Sequence, residues 1–80
     1  MNPQEEDSLA VCIRRVLKRY FKDLDGESPG QINDMVLSHV EKPMLEFVLQ
    51  QAGHNQSRAA EWLGINRNTL RKKMQQYGLE

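Results

Sequence analysis

Apolar residues along this chain recur at spacings of three and four, the period of a helix rather than of a strand. Leu9, Ile13, Val16, Leu17, Tyr20, Phe21 and Leu24 form the first such stripe. It predicts a helix that begins near Asp7-Ser8, both good N-cap types, and runs to about Leu24, where Asp25-Gly26 ends it. Glu27 to Gly30, with Ser28 and Pro29 between them, reads as a loop. A second, longer pattern runs from about Gln31 to Ala52 and closes at Gly53. Its core face reads as Ile32, Met35, Val36, Val40, Met44, Phe47 and Val48, and Leu37, Leu45 and Leu49 widen the apolar arc. Pro43 lies inside this pattern, where it removes one backbone donor and crowds the preceding turn. Because the apolar register continues in phase on both sides, the expectation is one helix kinked near residues 38–42 rather than two helices.

Two short helices follow, at about residues 55–63 and 67–76, with Asn55 and Asn66 as N-caps and Tyr77-Gly78 as the final stop. Between them the chain carries Ala60, Gly64 and Leu70, the residues a tight helix-turn-helix joint requires. Ala60 lets the helices approach, Gly64 can take a left-handed turn without a Cβ clash, and Leu70 plugs the joint from the second helix. The fourth helix opens on Asn66, Arg67, Asn68 and Thr69 and continues through Arg71, Lys72 and Lys73, a composition suited to a DNA major groove. Trp62 and Tyr77 fall at core-like positions around this joint, and Met35, Met44 and Met74 read as core filling. The fold class is therefore all-α: four helices and no strand, the first two forming a dimer core and the last two a helix-turn-helix.

The dimer follows from an excess of apolar surface. A chain of 80 residues cannot easily enclose Leu37, Leu45 and Leu49 as well as the main stripe. Packing the two long helices of each subunit against their mates in a four-helix core removes that excess. It also sets two recognition helices on one face, as symmetric sites require. The organisation expected is thus a short disordered stretch over residues 1–7, dimerisation helices over 8–53 and a DNA-binding region over 54–80, all within one domain.

Charge sharpens this picture. The formal net charge is zero, yet residues 1–53 hold six Lys/Arg against nine Asp/Glu, a net of −3, and residues 54–80 hold five against two, a net of +3. The positive charge sits on the segment that carries the joint. Arg14, Arg15, Lys18, Arg19 and Lys22 fall mostly off the first apolar stripe and read as the solvated side of an amphipathic helix. No apolar run approaches the roughly 18 residues of a spanning helix, and the acidic N-terminus is unlike a secretory signal. The single cysteine, Cys12, excludes an intramolecular disulfide and suits a reducing cytosol, so a cytoplasmic location is expected. His39 and His54 are far apart, with no clustered ligands at metal spacing, and no phosphate loop or paired-carboxylate site occurs. Neither metal, cofactor nor enzymatic activity is expected.

The run from Gly64 to Lys73, with Asn55 to Ala60 before it and Tyr77-Gly78 after it, closely resembles the Fis family of bacterial nucleoid-associated DNA-binding proteins. The resemblance also covers Val16 to Gly26 and Glu41 to Glu46, so it spans residues 8–80. It implies a homodimer that binds degenerate sites in double-stranded DNA, bends them, organises the nucleoid and regulates transcription, with contacts to RNA polymerase among its interactions. Carried over by position, it implies base-edge contacts from Asn66 and Arg67, with Arg67 gripping guanine. Phosphate contacts would come from Asn55, Ser57, Thr69, Arg71, Lys72 and Lys73. The chain departs from the family at Gln75 and Gln76, where further lysines are usual, and at Gly53, where an arginine is usual. Fewer flanking contacts imply weaker binding and a shallower salt dependence. Residues 1–7 are too few for the family's recombinase-stimulating hairpin, so stimulation of DNA inversion is not expected. Two other readings remain: the terminal DNA-binding domain of an activator of the NtrC type, and a helical dimerisation or interaction module whose basic tail is incidental.

Overall fold

The computed structural model describes residues 3–80, with side chains from Ser8 onward. Four helices follow in order: α1 (Pro3–Leu24), α2 (Ile32–Gln51), α3 (Gln56–Leu63) and α4 (Arg67–Tyr77). No strand occurs among the described residues, so the chain is all-α as its periodicity implied. Helix α1 begins at Pro3, ahead of the Asp7-Ser8 start expected; Pro is well suited to the first turn, where its missing N–H has no partner to lose. The disorder expected over residues 1–7 falls outside the residues described in full. Helix α2 is continuous through Pro43, one helix and not two.

The chain divides into two compact units between Val36 and Leu37, inside α2. In the first unit nothing is fully buried among the described residues: Ile13, Leu17, Tyr20 and Leu24 of α1 and Ile32, Met35 and Val36 of α2 are half-buried. The Tyr20 hydroxyl donates to the Gly30 carbonyl at 3.3 Å and accepts from the Gly30 N–H at 3.4 Å, pinning the loop to α1. Tyr20 and Phe21 meet edge to face at 5.8 Å.

The second unit, Leu37–Glu80, holds the core. Leu45, Leu49, Ala52, Ala59, Ala60, Leu70 and Met74 are buried in one cluster, with Val48, Leu63, Ile65, Tyr77 and Leu79 packed against it. The face of α2 that this core selects differs from the one its sequence suggested. Leu45 and Leu49 are buried, whereas Met44, Phe47 and Leu37 are exposed, Phe47 by 62%. Helix α2 is apolar around most of its circumference, so periodicity alone cannot say which arc meets its own chain. The register Glu41, Leu45, Leu49, Ala52 follows i, i+4, i+8, i+11 and turns one stripe toward α3 and α4. Trp62 is likewise not a core residue: it is 57% exposed. The inward positions of α3 are Ala59, Ala60 and Leu63, and Trp62 stands roughly 100° around the helix from their centre.

The last three helices end in one device. At the end of α3 the Gly64 N–H donates to the Glu61 carbonyl at 3.1 Å, and the Ile65 N–H reaches the Ala60 carbonyl at 3.0 Å. Gly64 takes φ +75°, and Ile65 packs on the core, completing a Schellman cap with its apolar contact. The same pattern closes α4, where Leu79 N–H bonds the Met74 carbonyl at 2.8 Å. It also closes α2, where His54 N–H bonds the Leu49 carbonyl at 2.8 Å.

Two substitutions test this architecture. Leu70→Ala removes a side chain with no exposed surface and is expected to cost about 2–5 kcal/mol, read as a shift in urea midpoint. Gly64→Ala meets open space around the added Cβ, so its cost is conformational alone, about 1–2 kcal/mol for a left-handed alanine. A Gly64→Ala loss as large as that of Leu70→Ala contradicts this assignment.

Candidate nucleic-acid interface

Helix α4 separates its side chains by its own period. Leu70 and Met74 are buried, and Lys73 and Tyr77 are half-buried beside them, so positions i, i+3, i+4 and i+7 form the packed stripe. The opposite face presents Asn68, Arg71, Lys72 and Gln75, all exposed, with Thr69 and Gln76 at one edge and Arg67 in the first turn. No acidic residue lies on α4, and no ion pair among the described residues engages Arg67, Arg71 or Lys72. The result is a rigid rod with an apolar underside and an unneutralised cationic top, open to solvent.

The helix is started by Asn66, whose backbone is extended (φ −69°, ψ 145°) and whose side-chain oxygen accepts from the Asn68 N–H at 2.7 Å. Asn55 performs the same service for α3, accepting from the Arg58 N–H at 3.0 Å. Both asparagines thus commit Oδ1 to a cap and keep the Nδ2 donors for other partners. The candidate residues Asn55, Ser57, Asn66, Arg67, Thr69, Arg71 and Lys72 are all exposed, and Ala60, Gly64 and Leu70 form the joint beneath them. Arg71 lines a groove of about 300 Å³ together with His54 and Gln56, which sets the α2–α3 turn alongside the basic face.

Lys73 departs from this group. Its Nζ donates to Glu41 Oε2 at 2.6 Å, and the Tyr77 hydroxyl donates to Glu41 Oε1 at 2.6 Å. One carboxylate on α2 thereby takes both half-buried polar ends of the α4 stripe. The Lys73 and Tyr77 hydrogen bonds, aided by the lysine charge, hold the Glu41 carboxyl below its ordinary value of 4.5 against the opposing effect of desolvation. Sequence reasoning placed Lys73 with the phosphate contacts and gave Glu41 no role. The available signal was position: Glu41 lies on the same register as Leu45, Leu49 and Ala52, an acid in line with an apolar stripe. Asn68, read from the sequence only as part of the opening turn, and Gln75, read only as a departure from the family, also belong to the exposed face, where the helical period places both.

Because Glu41 titrates lower in the folded chain, its contribution is present in full above the unfolded carboxylate range and is lost as pH falls through the folded value. Thermal melts from pH 7 to pH 3 are expected to show the parent chain losing stability below about pH 4.5 more steeply than Glu41→Gln. At neutral pH Glu41→Ala is expected to cost about 1–2 kcal/mol, because the partly buried Lys73 and Tyr77 lose their shared acceptor. An equal acid slope in the parent and Glu41→Gln refutes the linkage.

With this geometry in hand, comparisons with known proteins are specific. Residues 36–77, which run from the second turn of α2 through α4, match the family described as bacterial regulatory protein, Fis family. The chain is 60% identical over 68 residues to a Fis-like DNA-binding protein of Ralstonia nicotianae, covering 85% of this chain and 88% of that one. It is 53% identical over 77 residues to a Fis-like DNA-binding protein of Neisseria meningitidis, covering 96% and 98%. To the DNA-binding protein Fis of Glaesserella parasuis it is 46% identical over 76 residues, covering 95% and 78%. A matched joint, a matched recognition helix and near full-length similarity lead to one conclusion: the chain belongs to the Fis family of bacterial regulatory proteins.

Proposed function

We propose that this chain is a homodimeric DNA-binding and DNA-bending protein that reads degenerate duplex sites, organises the nucleoid and regulates transcription. The observation that carries the reading is the outer face of α4, where Asn68, Arg71 and Lys72 are exposed and unpaired by acids while Leu70 and Met74 anchor the underside. A helix so presented fits the width of a major groove. The names of its relatives, DNA-binding proteins of the same family, support the same partner.

The dimer is supported by apolar surface that the single chain leaves uncovered. Leu9, Val11, Val16 and Phe21 on α1 and Leu37, Met44 and Phe47 on α2 are each more than two-fifths exposed. Exposed apolar area on two long helices is the mark of a surface that a second copy covers. Paired recognition helices closer than one turn of straight DNA, as the family resemblance implies, require the duplex to curve and narrow its central minor groove. Specificity then rests on deformability as well as on base edges.

In the division of labour proposed, Arg67 reads a guanine edge and the Asn66 amide nitrogen, free of the cap, approaches a neighbouring base. Asn55, Ser57, Thr69, Arg71 and Lys72 hold phosphates and fix the register. RNA polymerase is a further partner, and the bacterial cytoplasm is the working location. No helix among the described residues is long and apolar enough to cross a membrane.

The test is fluorescence anisotropy of a labelled duplex of about 27 base pairs across a salt series, with single-stranded DNA as control. Tight, salt-dependent duplex binding at two chains per site is expected. Arg67→Ala is expected to relax base preference at one position by about 1–3 kcal/mol. Lys72→Ala should instead weaken binding to every sequence and flatten the salt slope by about one unit. Equal losses from both substitutions on all sequences contradict the division of roles, and absence of duplex preference leaves a helical interaction module in its place.

A further inference from the structure

The geometry points to Glu41 as a specificity-determining positioning residue, one that withholds the Lys73 charge from DNA phosphates and fixes the rotation of the recognition helix about its axis. The inference rests on the duplex-binding function proposed above and adds a residue, on α2 and outside the binding face, that controls it.

Three observations carry it. First, Lys73 stands at the shoulder of α4, one turn beyond the exposed Thr69 and one turn before Tyr77. Its Nζ nevertheless points to Glu41 Oε2, 2.6 Å away, rather than outward with Arg71 and Lys72. Lys73 remains 29% exposed and Glu41 20%, so the ammonium is near enough to solvent to swing out if released. Second, the pairing is doubly held. Tyr77 donates to the other carboxylate oxygen at 2.6 Å, so the carboxylate spans one full turn of α4. A carboxylate gripped by two groups on one helix resists rotation of that helix about its axis, which an apolar contact between Leu and Met side chains restrains less directionally. Third, this is the one ion pair among the described residues, while every other cation of α4 is unpaired. The chain neutralises one of its four α4 cations and leaves the rest for a partner.

The consequence is a trade between affinity and discrimination. A lysine free to reach a phosphate strengthens binding to every sequence alike and displaces about 0.9 counterion. A lysine held by Glu41 contributes nothing to that general attraction and keeps α4 at one angle to the groove, which favours base edges that require correct approach. Glu41 thus acts as an internal competitor for one phosphate-binding cation.

Salt titrations of duplex binding by the full chain test this, on a selected site and on a random duplex of equal length. Glu41→Gln is expected to steepen the slope of log K against log salt by about 0.9 per chain. It should raise affinity for the random duplex severalfold at low salt and reduce the ratio of selected to random affinity. The double variant Glu41→Gln, Lys73→Gln is expected to return the slope to that of the parent. Because it removes both charges together, it also guards against a Glu41→Gln chain that fails to fold, which circular dichroism will show. A slope unchanged in folded Glu41→Gln overturns the inference. So does a double variant flatter than the parent by about 0.9 per chain, which would place Lys73 on a phosphate from the start. A selected-to-random ratio that holds or rises in Glu41→Gln overturns it as well. Absence of duplex binding by the parent overturns both this inference and the proposed function; binding with unmoved slopes overturns this one alone.

Discussion

The outer face of α4 depends on the burial of its inner face. Leu70 has no exposed surface and Met74 very little, and both sit in the cluster that Leu45, Leu49 and Ala52 bring from α2 and Ala59 and Ala60 from α3. Burying a leucine of this kind contributes about 1.5–3 kcal/mol. That anchor turns a short, hydrophilic helix into a fixed rod, since an isolated helix of eleven residues is marginal in water. The alanines matter as much as the leucines: with methyl side chains at the crossing, α3 and α4 approach closely enough for Leu70 to fill the joint.

On this apolar base sits a polar bracket. Glu41 extends the inward register of α2 by one turn and finds Lys73 and Tyr77 extending the inward register of α4. Hydrophobic contact is non-directional, so it sets the distance between helices better than their rotation. Hydrogen bonds at 2.6 Å have direction and supply the missing constraint. The Schellman caps at Gly53, Gly64 and Gly78 then set where each helix stops, so that the turn between α3 and α4 is as defined as the helices it joins.

The two units differ in how far they satisfy themselves. Leu37–Glu80 has a closed core, whereas the described residues up to Val36 bury nothing completely and carry several exposed apolar side chains. The apolar surface left uncovered on α1 and α2 is the physical basis for proposing that the chain works as a pair. The unpaired cations of α4 and the uncovered apolar surface of α1 and α2 are chemically different surfaces, and the partners proposed for them differ accordingly: a polyanion for the first and a second copy for the second.

Much of this was legible from residue order because it is local. The asparagine caps, the left-handed Gly64, the Ala60–Gly64–Leu70 joint and the four helices follow from backbone sterics and a period of 3.6, which act over a few residues. The continuity of α2 through Pro43 was also readable, because the apolar register stays in phase across it. What residue order did not settle is which of several apolar faces turns inward. Within the single chain, Met44 and Phe47 read as core and are exposed, Leu45 and Leu49 read as surplus and are the core, and Trp62 read as packed and is exposed. Lys73 read as a phosphate contact and is held by an acid 32 positions away. Apolar periodicity specifies that a face is buried without specifying against what, and a side chain's partner across 30 residues is chosen only when the helices pack. The sequence alone therefore determined the helices, their caps and the joint, through short-range backbone and capping energetics. The tertiary structure decided the inward arc of α2 and the fate of Lys73, because both depend on burial and pairing between segments distant in the chain.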